Sequence, residues 1–476
     1  MLTGVIAMVF VWIAWNSKGF READEVSHLG YAKWAHQDLR YVVDIWGRPL
    51  VTLLWWIGAQ FGPFFARLTT VLVAVSAAFA ARRLVQSVRA VRHLDSADLA
   101  VACTLGLPLV SEQAASLLTE IVFASLLGWA FVFAREGRLR LAALSFGFLP
   151  LARPEGFWIG PLVACWLLQS KSIATVPPFS GSRWSLVGLL AIPIAAWWWL
   201  GVAAYAEPDW FITWWPRNWA ASSIYGHGHP LLFAAFLVSV VTPWLWPFFV
   251  AGLGIAWRAR HRMEIMVIVF VTVLHGVLYA LGSMGSAGYP RYLVTLAPLI
   301  GGACAIGLAH VIALVTRASN SQSWRHARVM LPWVIVVIPL VMPQRGATAV
   351  ATDQSWIDRA VPVVRSKLSA SPGAWLIADH PWAAFALDRD PNLDAHNFSG
   401  AALELAPTGS VAMVESKFAT RYGRISRGDV DSCLETCGFV RLAREAVVGD
   451  WTPAPDGDAG DPELKDFVGD VWVKVR

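Results

Sequence analysis

Residues 1–25 read MLTGVIAMVFVWIAWNSKGFREADE: an apolar run to Trp15, then Lys18, Arg21, Glu22, Asp24 and Glu25 within ten residues. A membrane-crossing helix needs about 20 apolar residues, fewer where neighbours cover part of it. The run lacks a basic start and a small-residue cleavage site, so it reads as an uncleaved first span and not as a signal peptide. The same alternation of apolar run and charged break recurs along the chain. It predicts spans near 1–16, 63–81, 98–110, 118–134, 141–152, 156–169, 185–206, 231–256, 263–281, 293–316 and 330–343. Residues 49–62 read as a segment lying along the interface. The expected fold class is therefore an all-α polytopic membrane protein with about ten or eleven transmembrane helices.

Composition points the same way. Of 476 residues, 56% are hydrophobic and only 15% charged, whereas soluble domains carry roughly a quarter charged residues. The 27 tryptophans suit a chain with two membrane–water boundaries. A net charge of +5 could signal nucleic acid in a soluble protein. Here the cations fall between apolar runs, where they set orientation, so no nucleic-acid partner is expected. Arg82, Arg83, Arg89, Arg92, Arg135, Arg138, Arg140, Lys171, Arg183, Arg258, Arg260, Arg262, Arg317, Arg325 and Arg328 all fall on one side of the predicted spans. That side is cytoplasmic by the positive-inside rule. The N-terminus is then inside, and the opposite face receives loops 17–48, 111–117, 153–155, 207–230 and 282–292 with the segment after about 344.

From Ala347 onward charge, Gly and Pro increase. Short β-like runs (Ala374–Ala378, Val411–Val414, Phe439–Leu442, Val471–Val475) alternate with helix-like ones such as Ser355–Ser369. The pattern predicts two domains, a membrane domain over 1–345 and a small extracytoplasmic α/β domain over 346–476. Cys103, Cys165 and Cys304 lie in apolar runs as small hydrophobes. Cys433 and Cys437 lie in the second domain, bridged or free.

Ionisable groups at the rims of spans are the candidates for chemistry. Asp24 and Glu25 follow the first span, and either line a polar cavity or open the helix Asp24–His36 as an acidic first turn. Glu112 and Glu120 are eight residues apart, near one face if a single helix carries both. In Leu151-Ala152-Arg153-Pro154-Glu155-Gly156 an Arg–Glu pair interrupts an apolar hairpin, where a freed backbone is tolerated beside a cavity or within protein. Arg217 stands among the tryptophans of loop 207–230, and Tyr289 and Arg291 in Tyr289-Pro290-Arg291-Tyr292. Aromatic faces beside guanidinium groups suit sugars and phosphate esters, and tryptophans equally suit an interfacial belt. His227 and His229 supply two potential metal ligands, too few to define a site.

These groups share one face, which favours an enzyme working at the outer leaflet over a transporter with mid-membrane charges. Glu22-Ala23-Asp24-Glu25, Ser111-Glu112 to Thr119-Glu120, and Leu151 to Gly156 together resemble the GT-C glycosyltransferases. These multi-span enzymes use polyprenyl-phosphate sugars and include protein O-mannosyltransferase and aminoarabinose-transferase relatives. The resemblance covers about residues 1–345. It implies a polyprenyl-phosphate sugar donor, an acceptor hydroxyl of unspecified identity, and a cell-envelope setting at the plasma (inner) membrane. Asp24 would be the catalytic base, with Glu25 beside it and Glu112 as a second acid, although relatives often carry Asp there. Glu120, Arg153, Glu155, Arg217, His227, Tyr289 and Arg291 would bind substrate, Arg291 first among those meeting the phosphate. A cofactor is not specified, a divalent metal being compatible. The alternative class is a lipid-linked-sugar flippase or transporter with an extracytoplasmic domain.

Overall fold

The computed structural model describes residues 2–88, 96–169, 183–216, 227–283, 288–318, 330, 334, 348–390, 393, 395–415, 427–448 and 466–475. The chain divides into two compact units, one comprising Met1–Asn16 with Tyr31–Ala347 and the other Ser17–Gly30 with Thr348–Arg476.

The first unit is helical. Its elements are α1 (Leu2–Asn16), the end of α2 (Ala23–Trp34), α3 (Leu39–Val43), α4 (Pro49–Gln60), α5 (Pro63–Ser87), α6 (Ser96–Leu105) and α7 (Pro108–Gln113). There follow α8 (Glu120–Arg135), α9 (Leu139–Ala152), α10 (Glu155–Gln169), α11 (Arg183–Tyr205) and α12 (Trp210–Thr213). The unit continues with α13 (Leu232–Val241), α14 (Trp246–Arg258), α15 (Arg262–Ala280), a 3₁₀ turn over Pro290–Leu296 and α16 (Ala297–Ala318).

Among the described residues four helices are long and apolar enough to cross a membrane: Pro63–Ser87, Arg183–Tyr205, Arg262–Ala280 and Pro290–Leu314. A fifth is counted if α13 and α14 form one span, although they meet at 102°. The other predicted spans for which helices are described are shorter, such as the 14 residues of α9 and 15 of α10. Proline explains much of the shortening, because it removes a backbone donor and restricts the residue before it. Pro154 separates α9 from α10, and Thr242, at φ 72 before Pro243, begins the sharp bend. The expected span at 330–343 lies almost wholly outside the described residues. Trp210 of the predicted aromatic belt is instead buried, its ring 5.4 Å from Tyr205 and its Nε1 donating to Trp198 O at 2.9 Å.

In the second unit α17 (Thr352–Ala370), α18 (Pro381–Leu387), α19 (Gly400–Leu405) and α20 (Arg427–Thr436) accompany five strands. These are β1 (Leu376–Ala378), β2 (Ala395–His396), β3 (Val411–Glu415), β4 (Phe439–Val448) and β5 (Asp466–Lys474). Their order is β2-β1-β3-β5-β4, with β2, β1 and β3 parallel and β5 antiparallel to β3 and β4. Each β-like run of the sequence overlaps a strand, although Ala374 and Trp375 precede β1 and Val475 lies beyond β5, whereas the two-residue β2 is too short for a period-two signal. Ile377, Phe398, Leu403, Ala412, Leu434, Phe439 and Trp472 form the core. Cys433 and Cys437 are free thiols.

Candidate functional site

The Pro154 break turns the chain from α9 into α10 with Arg153 as the C-cap of one helix and Glu155 as the first residue of the next. Both side chains point into the protein, with Arg153 6% and Glu155 5% exposed. Arg153 Nε donates to Glu155 Oε1 and Oε2 at 3.0 and 3.1 Å, and Nη2 reaches Oε1 at 2.7 Å. Nη1 donates to Glu120 Oε1 at 2.6 Å and to Thr119 Oγ1 at 3.0 Å, both at the N-terminal end of α8. One guanidinium therefore bridges two buried carboxylates.

Arg291, in the 3₁₀ turn before α16, brings its Nε 3.6 Å from Glu120 Oε1. Its guanidinium lies 4.7 Å from the ring centre of Tyr289 and 5.7 Å from that of Tyr292, and Arg153 sits 5.0 Å from Tyr292. Aromatic faces attract these cations, more so away from water. His275 of α15 completes the group, with Nε2 3.3 Å from Glu155 Oε1 and its ring 5.2 Å from Phe233 and 5.1 Å from Tyr292. Glu120, Arg153, Glu155, Tyr289 and Arg291 are thus brought together. Glu120 Oε2 is buried without a hydrogen-bond partner among the described residues.

Arg48, just before α4, joins this group electrostatically. Burial, and then the like charge of Arg153, lower its guanidinium pKa to about 10, opposed by Glu155 and Glu120. Its backbone is held at φ 63, outside the usual range for a side-chain-bearing residue. A turn built on Asp44 supports it: Arg48 N–H donates to Asp44 O at 3.2 Å, and Gly47 N–H to Asp44 Oδ1 at 2.6 Å. Burial raises the Asp44 carboxyl to about 6, opposed by the N–H groups of Gly47 and Trp46 and by Arg48.

The remaining candidates are placed differently. Asp24 and Glu25 occupy the first turn of α2, in the other unit. The helix begins at Ala23, so Asp24 is inside it and does not cap it. Glu25 is buried and Asp24 half-buried. Glu112 is half-buried in α7, which ends at Gln113; six non-helical residues precede α8. The one-helix relation between Glu112 and Glu120 therefore does not hold, because Pro108 starts a separate short helix and the chain turns after it. Arg217 lies outside the described residues. His227 is exposed, and His229 Nδ1 accepts from Leu231 N–H at 3.1 Å. Among the described residues no three His, Cys, Asp or Glu side chains group for a metal.

Arg48 and His275 escaped the sequence reading. Arg48 stood among the balanced charges of loop 17–48, and His275 was a lone imidazole in an apolar run. The usable signals were Arg48-Pro49 at the mouth of an apolar segment and an ionisable group within a span.

No protein-family model and no curated protein sequence matches the chain. Its structure matches that of ArnT from Cupriavidus metallidurans, solved bound to undecaprenyl phosphate, with a TM-score of 0.61 at 13% identity. The match covers 98% of this chain and 97% of that one. The fold is thus shared with ArnT: a polytopic helical membrane protein with a small α/β unit.

Proposed function

We propose that the chain is an inverting glycosyltransferase that moves a sugar from a polyprenyl-phosphate carrier to an acceptor hydroxyl on the outer face of the membrane. The observation that carries this is the buried Arg153–Glu120–Glu155 cluster with Arg291 and Arg48, in a fold shared with an enzyme solved holding undecaprenyl phosphate. Guanidinium groups match phosphate oxygens through paired hydrogen bonds. Glu120 and Glu155 hold Arg153 in place, while Arg291 and Arg48 offer further positive charge to the leaving phosphate. The depressed Arg48 pKa means that its charge is costly where it lies, and an arriving anion would relieve that cost.

In the reaction Asp24, with Glu25 adjacent, takes the proton of the acceptor hydroxyl as its oxygen bonds to the anomeric carbon. The carbon–oxygen bond to phosphate breaks on the opposite face, and polyprenyl phosphate leaves with the electron pair. Glu112 serves as the second acid, and Arg217, His227 and Tyr289 contact substrate. The N-terminus is cytoplasmic, and residues 346–476 form the extracytoplasmic domain.

The test follows release of polyprenyl phosphate by the purified protein from a panel of undecaprenyl-phosphate sugars. Asp24→Asn is expected to abolish release while leaving the unfolding temperature unchanged. Full turnover in that variant removes the base. Translocation of intact donor by the wild-type protein in proteoliposomes, without cleavage, replaces the enzyme with a flippase.

A further inference from the structure

The segment carrying Asp24 belongs to the same compact unit as Thr348–Arg476, and the contacts that hold it there are specific. Lys18 and Gly19 both donate their backbone N–H to Thr348 O, at 3.0 and 3.1 Å, while Thr348 N–H donates to Ser17 Oγ at 3.0 Å. The two backbones run so close that a Cβ on Gly19 would overlap Ala349 O. One residue on, Phe20 is buried and sets its ring 5.2 Å from that of Trp382.

Trp382 is itself fixed from several directions. Its Nε1 donates to Asp358 Oδ1 at 2.7 Å, its ring stacks on Phe385 at 5.2 Å, and its backbone N–H donates to His380 Nδ1 at 3.1 Å. Since Nδ1 accepts that bond, the imidazole proton sits on Nε2, which faces Asp353 Oδ2 at 3.3 Å. The indole is thereby a rigid post. Two residues, Arg21 and Glu22, separate Phe20 from the start of α2 at Ala23, and Glu25 N–H donates to Glu22 O at 3.2 Å. So short a connection transmits the placement of Phe20 to the first turn of α2.

We propose that Trp382 is a positioning residue for transfer: through Phe20, and beside the Ser17–Gly19 clasp on Thr348, it sets the place of Asp24. The proposal rests on the assignment of Asp24 as base. It gives the α/β unit a part in the chemical step rather than in donor capture, which falls to the arginines. Displacing a catalytic group by about 1 Å can cost on the order of 10²-fold in rate. Trp382→Ala is therefore expected to lower kcat by tenfold or more, leaving KM for the undecaprenyl-phosphate sugar within about twofold.

Measurements on the full chain decide it. Trp382→Phe, which retains a ring against Phe20, restores most of the turnover. Gly19→Ala, which forces the clasp apart without touching Trp382, reproduces the kcat loss. Wild-type kcat in Trp382→Ala together with an inactive Asp24→Asn overturns the positioning role and leaves the base standing. Full turnover in Asp24→Asn overturns both. If Trp382→Ala fails to fold, Gly19→Ala gives the answer, wild-type kcat again overturning the role.

Discussion

Arg153 is the cation that two buried carboxylates of the first unit share. Taking one partner from a buried charge group leaves the others charged and unsatisfied, at a cost of about 3–5 kcal/mol. Arg153→Ala, which would leave Glu120 and Glu155 buried without their shared cation, is expected to lower the unfolding temperature of the detergent-solubilised protein well below that of wild type. Arg153→Lys should recover only part of the loss, since one ammonium cannot serve two carboxylates from the same fork. Asp44 gives a pH signature. Its carboxyl moves from 3.8 to about 6 on folding, so the folded state binds a proton through that window that the unfolded chain has released. The stabilisation is complete below about pH 4 and is lost progressively as pH rises from 4 through 6, amounting to roughly 3 kcal/mol in all. Asp44→Asn should flatten this part of the profile, seen by comparing unfolding midpoints of the two proteins at pH 5 and pH 7.5. Glu120, Arg153 and Glu155 were legible in the sequence because ionisable groups are conspicuous at the rims of apolar runs. The pairing of Arg153 with Glu120 was not legible, because it joins α8 to the α9–α10 break across 33 residues.

At the level of elements, the crossing of α14 and α16 depends on glycine. A Cβ on Gly252 would overlap Ala303 O, and one on Gly307 would overlap Phe248 O, so each helix lays its bare backbone against the other. Between apolar helices in lipid, such close approach through small residues supplies packing that the hydrophobic effect does not. Gly307→Ala is expected to destabilise by about 1–3 kcal/mol through overpacking, read as a lower unfolding temperature, with Ala305→Gly on the same helix as a comparison. Helix ends at Pro and Gly were readable from the sequence, as at Pro154 and at Pro63, which opens α5. The bend within 231–256 was not, because the apolar run continues through Thr242-Pro243 and hydropathy carries no direction. The break between α6 and α7, inside the expected span 98–110, was hidden in the same way, since Leu105 to Leu107 are all apolar or small.

For the molecule as a whole, the helical membrane class and the α/β character of the second unit followed from composition and periodicity, the two signals that need no long-range contact. Joining Ser17–Gly30 to Thr348–Arg476 is a tertiary fact that no local pattern carries. The proposed orientation has its own test. Cys437, half-buried and a free thiol, should react with a membrane-impermeant maleimide in sealed right-side-out vesicles of a variant lacking the other four cysteines. Labelling only after permeabilisation would reverse the topology.

The divided second unit also has a consequence in time. Residues 17–30 leave the ribosome long before Thr348, and β5, the last of the described strands, lies between β3 and β4 in the finished sheet. At translation rates of roughly 5–20 residues per second, the delay is on the order of tens of seconds. During that interval the nascent chain carries its early acidic loop without the partner that will clasp it. A chain stalled before β5 would be threaded into the bilayer with its sheet still open, so closure of the sheet waits for β5.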